Sequence, residues 1–209
     1  MTALGECALT HLVENSCFVA GTLVHTKSGL VPIEQIKVGD LVLSRPEGGG
    51  ELAYKRVVST VSHENKQLWL VTYFVDRDAT PRYLVCTDNH PFWTKTSGWL
   101  RADLIADGVP MQLSDGSVAW GYAANRILET DLPGVGWSHY NDGNFSGPTI
   151  YMRGNRVVVT GSPVDPTPDI AGENPLDGRV YNFEVEEFHT YFVGEAGVWV
   201  HDTNGVILA

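Results

Sequence analysis

The chain has 209 residues, of which 43% are hydrophobic and 19% are charged. This composition supports one core-bearing domain rather than two, and the formal net charge of -11 argues against a surface that neutralises phosphates, so no nucleic-acid partner is expected. No apolar run reaches the roughly 18 to 20 residues of a membrane-spanning helix, and the first residues lack the pattern of a signal peptide. A soluble protein without a membrane partner is therefore expected.

Short runs rich in Val, Tyr, Phe, Trp and Thr follow one another along the chain, separated by Gly, Pro, Asp and Ser. Such runs are typical of β-strands, whereas helical periodicity is weak apart from a short turn predicted at 100–106. The predicted strands are CFVAGTLVHT (17–26), GDLVLSR (39–45), KRVVSTV (55–61), QLWLVTYFV (67–75), RYLVCT (82–87), RVVVT (156–160), RVYNFEVEEFHTYFV (179–193) and GVWVHD (197–202). The sequence predicts an all-β protein.

Two regions depart from this pattern. Residues 1–16 show no strand alternation and look like a lead-in, and the chain between about 115 and 179 contains stretches dense in Gly, Pro, Asn and Asp, which predict an irregular insertion. A hairpin is expected inside the insertion, because Gly154 and Asn155 lie between two β-rich flanks.

The three cysteines, Cys7, Cys17 and Cys86, form neither a disulfide framework nor a set with zinc-ligand spacing. No metal or other cofactor is expected. Cys17 opens the first predicted strand, and on its own it is most simply a small buried hydrophobic residue. Its significance depends on three other stretches of the chain.

The other stretches each place a histidine at or beside a strand end. In CTDNHPFW, Thr87 and His90 stand three apart before a proline; VYNFEVEEFHTYFV carries His189; and VWVHDTN ends the last predicted strand with His201 and Asp202. Alone, the Thr-x-x-His spacing is common, and a structural histidine is the simpler interpretation of His90. For His189, packing beside Phe188 is the alternative.

Taken in this order, the four stretches resemble the conserved blocks of the Hint fold, which occurs in inteins, bacterial intein-like domains and Hint modules before toxin domains. The phrases IEQIKVGDLVLS and DNHPFW are also similar to those of this family. The resemblance covers Cys17 to about Thr203. It implies a horseshoe-shaped all-β Hint domain over 17–202, with an upstream flank at 1–16 and a downstream flank at 203–209. The expected partners are these flanking segments of a larger precursor, and a monomer is expected.

The resemblance assigns the upstream chemistry to Cys17. Its sulfur would attack the carbonyl carbon of Ser16 and leave a thioester, helped by proximity, in a single-turnover reaction rather than an enzymatic cycle. His90 is predicted to protonate the leaving nitrogen, and Thr87 to donate near the Ser16 carbonyl as an oxyanion-hole group. Cys17 and His90 are therefore expected to share one pocket.

The downstream junction departs from the family, which has Asn after the penultimate histidine where this chain has Asp202. A carboxylate in that position would form a cyclic anhydride rather than a succinimide, so cleavage between Asp202 and Thr203 is predicted to be impaired. His201 would polarise or protonate this bond, and His189 would assist. The Thr203 hydroxyl is a candidate acceptor of the acyl group from the thioester.

Asn182 stands where many inteins have an aspartate that tunes the first cysteine, so it is either a tuning residue or a polar residue on the solvent-facing side of its strand. Upstream cleavage is expected to dominate over splicing. Two alternatives are a non-catalytic β-rich linker between domains, and a metal-binding module in which Cys17, His90, His189 and His201 converge. The insertion is too short for a homing endonuclease, so no nuclease is expected.

Overall fold

The structure, a computed structural model, describes residues 10–12, 16–75, 79–138, 147–153, 156–160, 170–202 and 206–208. Within these ranges the chain forms strands and two 3-10 helices, at Ile33–Gln35 and Ala102–Leu104, and no α-helix. The second of these helices confirms the turn predicted at 100–106. No helix in this part of the chain is long and apolar enough to cross a membrane.

The strands of the first half of the chain are β1 (Thr10–Leu12), β2 (Phe18–Val19), β3 (Leu23–Thr26), β4 (Gly29–Pro32), β5 (Leu41–Ser44), β6 (Ala53–Gln67), β7 (Trp69–Val75), β8 (Arg82–Cys86), β9 (Pro91–Thr94) and β10 (Gly98–Arg101). Those of the second half are β11 (Pro110–Gln112), β12 (Val118–Arg126), β13 (Leu128–Thr130), β14 (Val135–Trp137), β15 (Thr149–Arg153), β16 (Arg156–Thr160), β17 (Ile170–Pro175), β18 (Asp177–Val185), β19 (Thr190–Val193), β20 (Val198–His201) and β21 (Val206–Leu208).

A large antiparallel sheet of 14 strands carries the fold. Its order is β10-β9-β11-β12-β7-β8-β2-β18-β6-β5-β3-β19-β20, with β4 beside β3. The order closes on itself because β20 also pairs with β9, where Val200 lies opposite Phe92. Two features of this order matter for function. Strand β2 lies between β8 and β18, and β20, the last strand of the sheet, lies between β19 and β9.

Two predicted strands are each divided by a turn. The run at 17–26 forms β2 and β3, separated by a turn at Gly21, whose φ is 84°. The run at 179–193 forms β18 and β19, between which Glu187 and His189 have φ values of 64° and 55°. A strand requires an extended backbone, so residues with positive φ end the pairing.

The insertion is more regular than predicted. Strands β13 to β17 form a second sheet in the order β16-β15-β14-β13-β17. The expected hairpin is present as β15 and β16, which pair with Arg153 opposite Arg156, although its turn residues lie outside the described residues. Strand β12, which falls inside the predicted insertion of about 115–179, pairs instead with β7 in the large sheet.

Two hydrophobic cores lie on either side of β2. The larger contains Phe18, Phe92 and Tyr191 together with most buried residues of the large sheet. The smaller contains Cys17 and Ile150, and it joins the large sheet to the insertion. Because successive side chains of a strand point to opposite faces, neighbouring residues at the start of β2 contribute to different cores.

The first and last strands of the chain, β1 and β21, form a separate two-stranded sheet. Strands β1 and β21 pair antiparallel, with Thr10 opposite Leu208 and Leu12 opposite Val206. The segments that the sequence predicts to be flanks are therefore close to each other in space.

Candidate functional site

The predicted site residues come from neighbouring strands of the large sheet. Cys17 directly precedes β2, Thr87 directly follows β8, and Asn182 lies within β18. Because β2 pairs with β8 on one side and with β18 on the other, the backbone at Cys17 lies between Thr87 and Asn182. Asp202 follows β20 and reaches the same place, as shown by its contact with Asn182.

Thr87 binds the nitrogen side of the Ser16–Cys17 peptide. The Cys17 N–H donates to Thr87 Oγ1 at 3.1 Å, and the Thr87 hydroxyl donates its own proton to Asn89 Oδ1 at 2.7 Å. The predicted role of Thr87 as a donor to the Ser16 carbonyl is therefore not what this structure shows. The hydroxyl has one proton, and Asn89 accepts it.

Asn182 binds both junction carbonyls. Its Nδ2 donates to Ser16 O at 2.7 Å and to Asp202 O at 3.0 Å. Its Oδ1 accepts from the Phe183 N–H at 2.8 Å and from the Tyr191 hydroxyl at 2.9 Å. These partners fix the orientation of the amide, because a carbonyl oxygen only accepts and a backbone N–H only donates.

The burial of Asn182 corrects one of the two interpretations that the sequence allowed. Its relative exposure is only 4%, so it is not a residue on a solvent-facing side of the strand. Its neighbours Ser16, Asp202 and Tyr191 are buried as well. Inside a protein such hydrogen bonds are electrostatically stronger than in water.

The His90 ring packs among residues of the larger core, whereas Cys17 belongs to the smaller core. The His90 ring lies 4.0 Å from the Phe18 ring and also contacts Phe92 and Tyr191, all in the larger core. Cys17 belongs to the smaller core. The sequence could not show this, because it depends on the face that each side chain takes at the start of β2.

Burial shifts the protonation of both groups toward their neutral forms. Desolvation raises the pKa of Cys17 from 9.0 to about 12, although the charge of Lys66 acts in the opposite direction. Desolvation also holds the pKa of His90 well below 6.5, and the nearby His201 lowers it further. Neither ring nitrogen of His90 has a hydrogen-bond partner among the described residues. At neutral pH the thiol is protonated and the imidazole is neutral.

The downstream junction is a cluster of charged and titratable groups around Asp202. Asp202 Oδ2 accepts from the Val185 N–H at 2.7 Å and lies 3.4 Å from His189 Nδ1. Asp202 Oδ1 lies 3.6 Å from His201 Nδ1. His201 Nε2 in turn lies 2.5 Å from Glu47 Oε1. Both predicted histidines thus face Asp202.

One predicted site residue is not described by the structure, and three residues that were not predicted contact the site. Thr203, the predicted acyl acceptor, lies outside the described residues. Tyr191, Asn89 and Glu47 contact the site but were not predicted. Tyr191 lies two residues after His189 and carried no distinguishing feature, and Glu47 lies in a glycine-rich loop far away in the sequence.

No metal site is formed from these residues. No group of three or more His, Cys, Asp or Glu residues in the described part of the chain is arranged to hold a metal ion. Cys17 and His90 contribute to different cores. The alternative in which four side chains converge on a metal therefore finds no support in this part of the chain.

The large sheet closes on itself, and Ser16 and Asp202, at the two ends of the domain, both bind Asn182. This arrangement is that of a self-processing domain of the Hint type. The family model of the pretoxin Hint domain matches residues 23–165, which is more than half of the chain. The chain belongs to this family. Pretoxin Hint domains are parts of larger precursor proteins.

Solved structures agree with this assignment. The fold is similar to that of the bacterial intein-like domain from Clostridium thermocellum, with 27% identity over 88% of this chain and 97% of that chain and a TM-score of 0.58. It is also similar to the gp41-1 intein (16%, 90% and 99%, TM-score 0.53) and to a DnaB intein from Synechocystis (13%, 90% and 99%, TM-score 0.53). No curated protein matches the chain.

Proposed function

We propose that this domain cleaves its own backbone by an N-to-S acyl shift at Ser16–Cys17, and that cleavage at Asp202–Thr203 is impaired. Residues 1–16 are then the upstream flank and residues 203–209 begin the downstream flank. The observation that carries the proposal is the amide of Asn182, which binds Ser16 O and Asp202 O at the same time. A linker module would not need to join these two carbonyls, so that alternative is not favoured.

The upstream step conserves all atoms. The sulfur of Cys17 bonds to the carbonyl carbon of Ser16, whose C–N bond breaks, and the proton of the thiol ends on the released nitrogen of Cys17. Negative charge builds up on Ser16 O, where the Asn182 amide already donates at 2.7 Å. A thiol or water then releases the upstream segment from the thioester.

In the resting state the Cys17 thiol and the His90 imidazole are both neutral, so neither carries the charge that the upstream step needs. Cys17 must lose a proton although burial raises its pKa to about 12, and the thiolate is the reactive form. His90, which we assign as the proton carrier for the leaving nitrogen, packs against Phe18 on the other side of the strand. Because the buried thiol must first lose its proton, upstream cleavage is expected to be slow without a trigger.

The upstream step can be tested with a precursor that has a folded reporter domain fused to each end of the chain. Intact mass spectrometry is done before and after incubation with dithiothreitol. A fragment ending at Ser16 is expected to accumulate with the thiol, and Cys17→Ala abolishes it. Cys7→Ala is the matched control, because it removes another cysteine and should leave the fragment unchanged. No fragment ending at Ser16 under any thiol concentration or pH would refute the proposal.

The downstream step is weak because the Asp202 carboxylate is already bound. Its Oδ2 accepts from the Val185 N–H, and attack on its own carbonyl carbon yields an unstable anhydride. In Asp202→Asn the Val185 N–H can donate only to Oδ1, so Nδ2 takes the position that faces His201 Nδ1. This orients the amide nitrogen for succinimide formation.

Asp202→Asn is therefore expected to release the downstream reporter at least tenfold faster than the parent. Band intensities on a gel over time, with the succinimide located by mass spectrometry, measure the rate. Asp115→Asn is the control, since Asp115 is exposed and accepts from Ser117 in the turn between β11 and β12. Equal release rates for the parent and the Asp202→Asn precursor would show that the carboxylate does not limit this step.

A further inference from the structure

We propose that Glu47 is a positioning residue for the downstream junction: it holds the Nε2 hydrogen of His201, so that Nδ1 presents its lone pair to residue 202. The proposal rests on the downstream reaction described above. Glu47 is not part of any of the stretches that resemble the Hint blocks. It comes to the site from the loop that follows β5.

The contact between Glu47 and His201 fixes a tautomer. A neutral imidazole has one N–H and one lone pair, and the nitrogen that donates is set by the partner on the other side. Nε2 lies 2.5 Å from Glu47 Oε1, and a carboxylate can only accept. In the neutral ring Nδ1 therefore carries the lone pair. It lies 3.6 Å from Oδ1 of Asp202, the position that the amide Nδ2 takes in Asp202→Asn, where Nδ1 can accept.

The loop that carries Glu47 is anchored to the strand pair that carries His201. Thr190 Oγ1 donates to Arg45 O at 2.5 Å and accepts from the Arg45 N–H at 3.3 Å, and it also contacts Ser44 Oγ at 3.1 Å. Thr190 lies directly opposite His201 in the pairing of β19 with β20. The base of the loop is thus fixed beside the histidine.

The loop then makes a tight turn that directs Glu47 toward His201. The Gly49 N–H donates to Pro46 O at 3.0 Å, which closes a turn with Glu47 at its second position. The side chain of Glu47 is 49% exposed, whereas that of His201 is only 5% exposed. The carboxylate therefore covers the outer edge of the imidazole, while its inner edge faces Asp202.

The chemistry needs this arrangement. With Asn at position 202, Nδ2 bonds to the carbonyl carbon of the same residue, the C–N bond to Thr203 breaks, and a succinimide forms. The proton of the amide passes to His201 Nδ1, and the leaving amine of Thr203 receives a proton in return. Without Glu47 the imidazole can turn or take the other tautomer, and Nδ1 then carries a hydrogen and cannot accept.

The groups that face His201 determine its response to pH. Glu47 and Asp202 are acidic, whereas His189, whose ring is stacked at 6.4 Å, and His90 are basic. Burial lowers the pKa of His201, while Asp202 and Glu47 raise it. Removal of Glu47 therefore lowers the pKa further and moves the acid limb of the reaction to lower pH.

The test uses the two-reporter precursor carrying Asp202→Asn, in which downstream release is fast enough to measure. Glu47→Ala is expected to reduce the plateau rate of release about tenfold and to move the acid limb of its pH profile downward. Glu47→Gln, whose amide oxygen still accepts from Nε2, should recover most of the plateau rate. Glu51→Gln is the matched control, because it removes an exposed carboxylate from the same loop region and should change neither quantity.

Thiol-dependent cleavage at Ser16 is measured in every variant. Its retention in Glu47→Ala shows that the domain is folded and keeps the outcome separate from the proposed upstream function, which fails only if no variant forms the Ser16 fragment. A plateau rate and an acid limb that match the Asp202→Asn parent in both Glu47 variants would overturn the role of Glu47. A lower plateau without movement of the acid limb, unrelieved by Glu47→Gln, would reduce it to a structural contact and overturn it as well.

Discussion

Asn182 connects the two ends of the domain through one side chain. Many inteins have an aspartate at this place in the sequence, and an ionised aspartate could not donate to the two carbonyls that Asn182 binds. Asparagine has no titrating proton at neutral pH, so its donation to both junctions is permanent. In the proposed reaction, Asn182 would therefore stabilise charge on Ser16 O without a dependence on its own protonation.

Replacement of Asn182 tests this view. Asn182→Ala removes the donor to Ser16 O, and thiol-dependent cleavage is expected to slow by about 10² to 10³-fold, as for the loss of one oxyanion-hole donor. Asn182→Asp is expected to slow it at least as much, because a carboxylate faces two carbonyl oxygens. The rate is measured as formation of the fragment ending at Ser16.

Asn125→Ala is the matched control, since Asn125 is also buried in the large sheet but lies on β12, opposite Leu70 of β7. Urea unfolding of each variant shows whether it is folded. A cleavage rate for Asn182→Ala within threefold of the parent would mean that the amide does not stabilise the transition state.

At the scale of strands, the large sheet was predictable because short β-rich runs and turn residues are local features of the sequence. The burial of Asn182 was not predictable. Period-two alternation assigns one face of a strand to solvent, but Asn182 and its neighbour Phe183, on opposite faces of β18, are both buried. The division of the run at 179–193 was also missed. Glu187 and His189 adopt positive φ there, and Glu187 is not a residue type that favours it, although His189 is.

The regular insertion was missed for a different reason. Its strands are flanked by stretches rich in Gly, Pro, Asn and Asp, and composition alone indicates loops. Its order comes from contact with the large sheet. Leu68, Ile127 and Leu176 exchange backbone hydrogen bonds at the point where the chain leaves the large sheet and returns, and all three belong to the smaller core with Cys17.

Gly136 of β14 packs closely against Ile127 and Leu176, where the two sheets meet. A Cβ at this position would lie 2.4 Å from Ile127 Cγ2 and 2.7 Å from Leu176 Cδ2. Gly136→Ala is therefore expected to lower the free energy of unfolding by about 1 to 3 kcal/mol, the range for an overpacked core. Denaturant unfolding measures the change. Gly48→Ala is the control, because nothing lies within 4 Å of its added Cβ; equal stability losses in the two variants would argue against tight packing at Gly136.

At the scale of the whole molecule, the closed strand order supports the proposed single-turnover reaction. The pairing of β20 with β9 and of β2 with β18 brings Asp202 and Ser16 to the same amide, although they lie at opposite ends of the domain in sequence. The sequence resemblance implied this meeting. It could not reveal that the thiol and the imidazole are buried in different cores, because that depends on how the completed sheet packs.

The buried titratable groups also predict how the stability of the whole domain depends on pH. The pKa values of His90 and His201 are lowered by burial, so below pH 6.5 the unfolded chain binds protons that the folded chain does not, and the free energy of unfolding falls with pH. The slope approaches about 1.4 kcal/mol per pH unit for each such group. On the alkaline side, burial raises the pKa of Cys17 to about 12 and that of Cys86 well above 9.0, so stability falls again as pH rises above about 9.

Urea unfolding at pH 5.5, 7.5 and 9.5 measures this dependence, with a maximum expected at pH 7.5. His90→Phe, which keeps an aromatic ring against Phe18, should reduce the loss between pH 7.5 and 5.5, and Cys17→Ala should reduce the loss between pH 7.5 and 9.5. Gly48→Ala, which changes no titratable group, is the control and should leave both losses unchanged. If the parent domain had the same free energy of unfolding at all three pH values, the imidazole of His90 and the thiol of Cys17 would have the same proton affinity in the folded and unfolded chain. Burial of these two groups would then not account for the slow upstream cleavage that we propose.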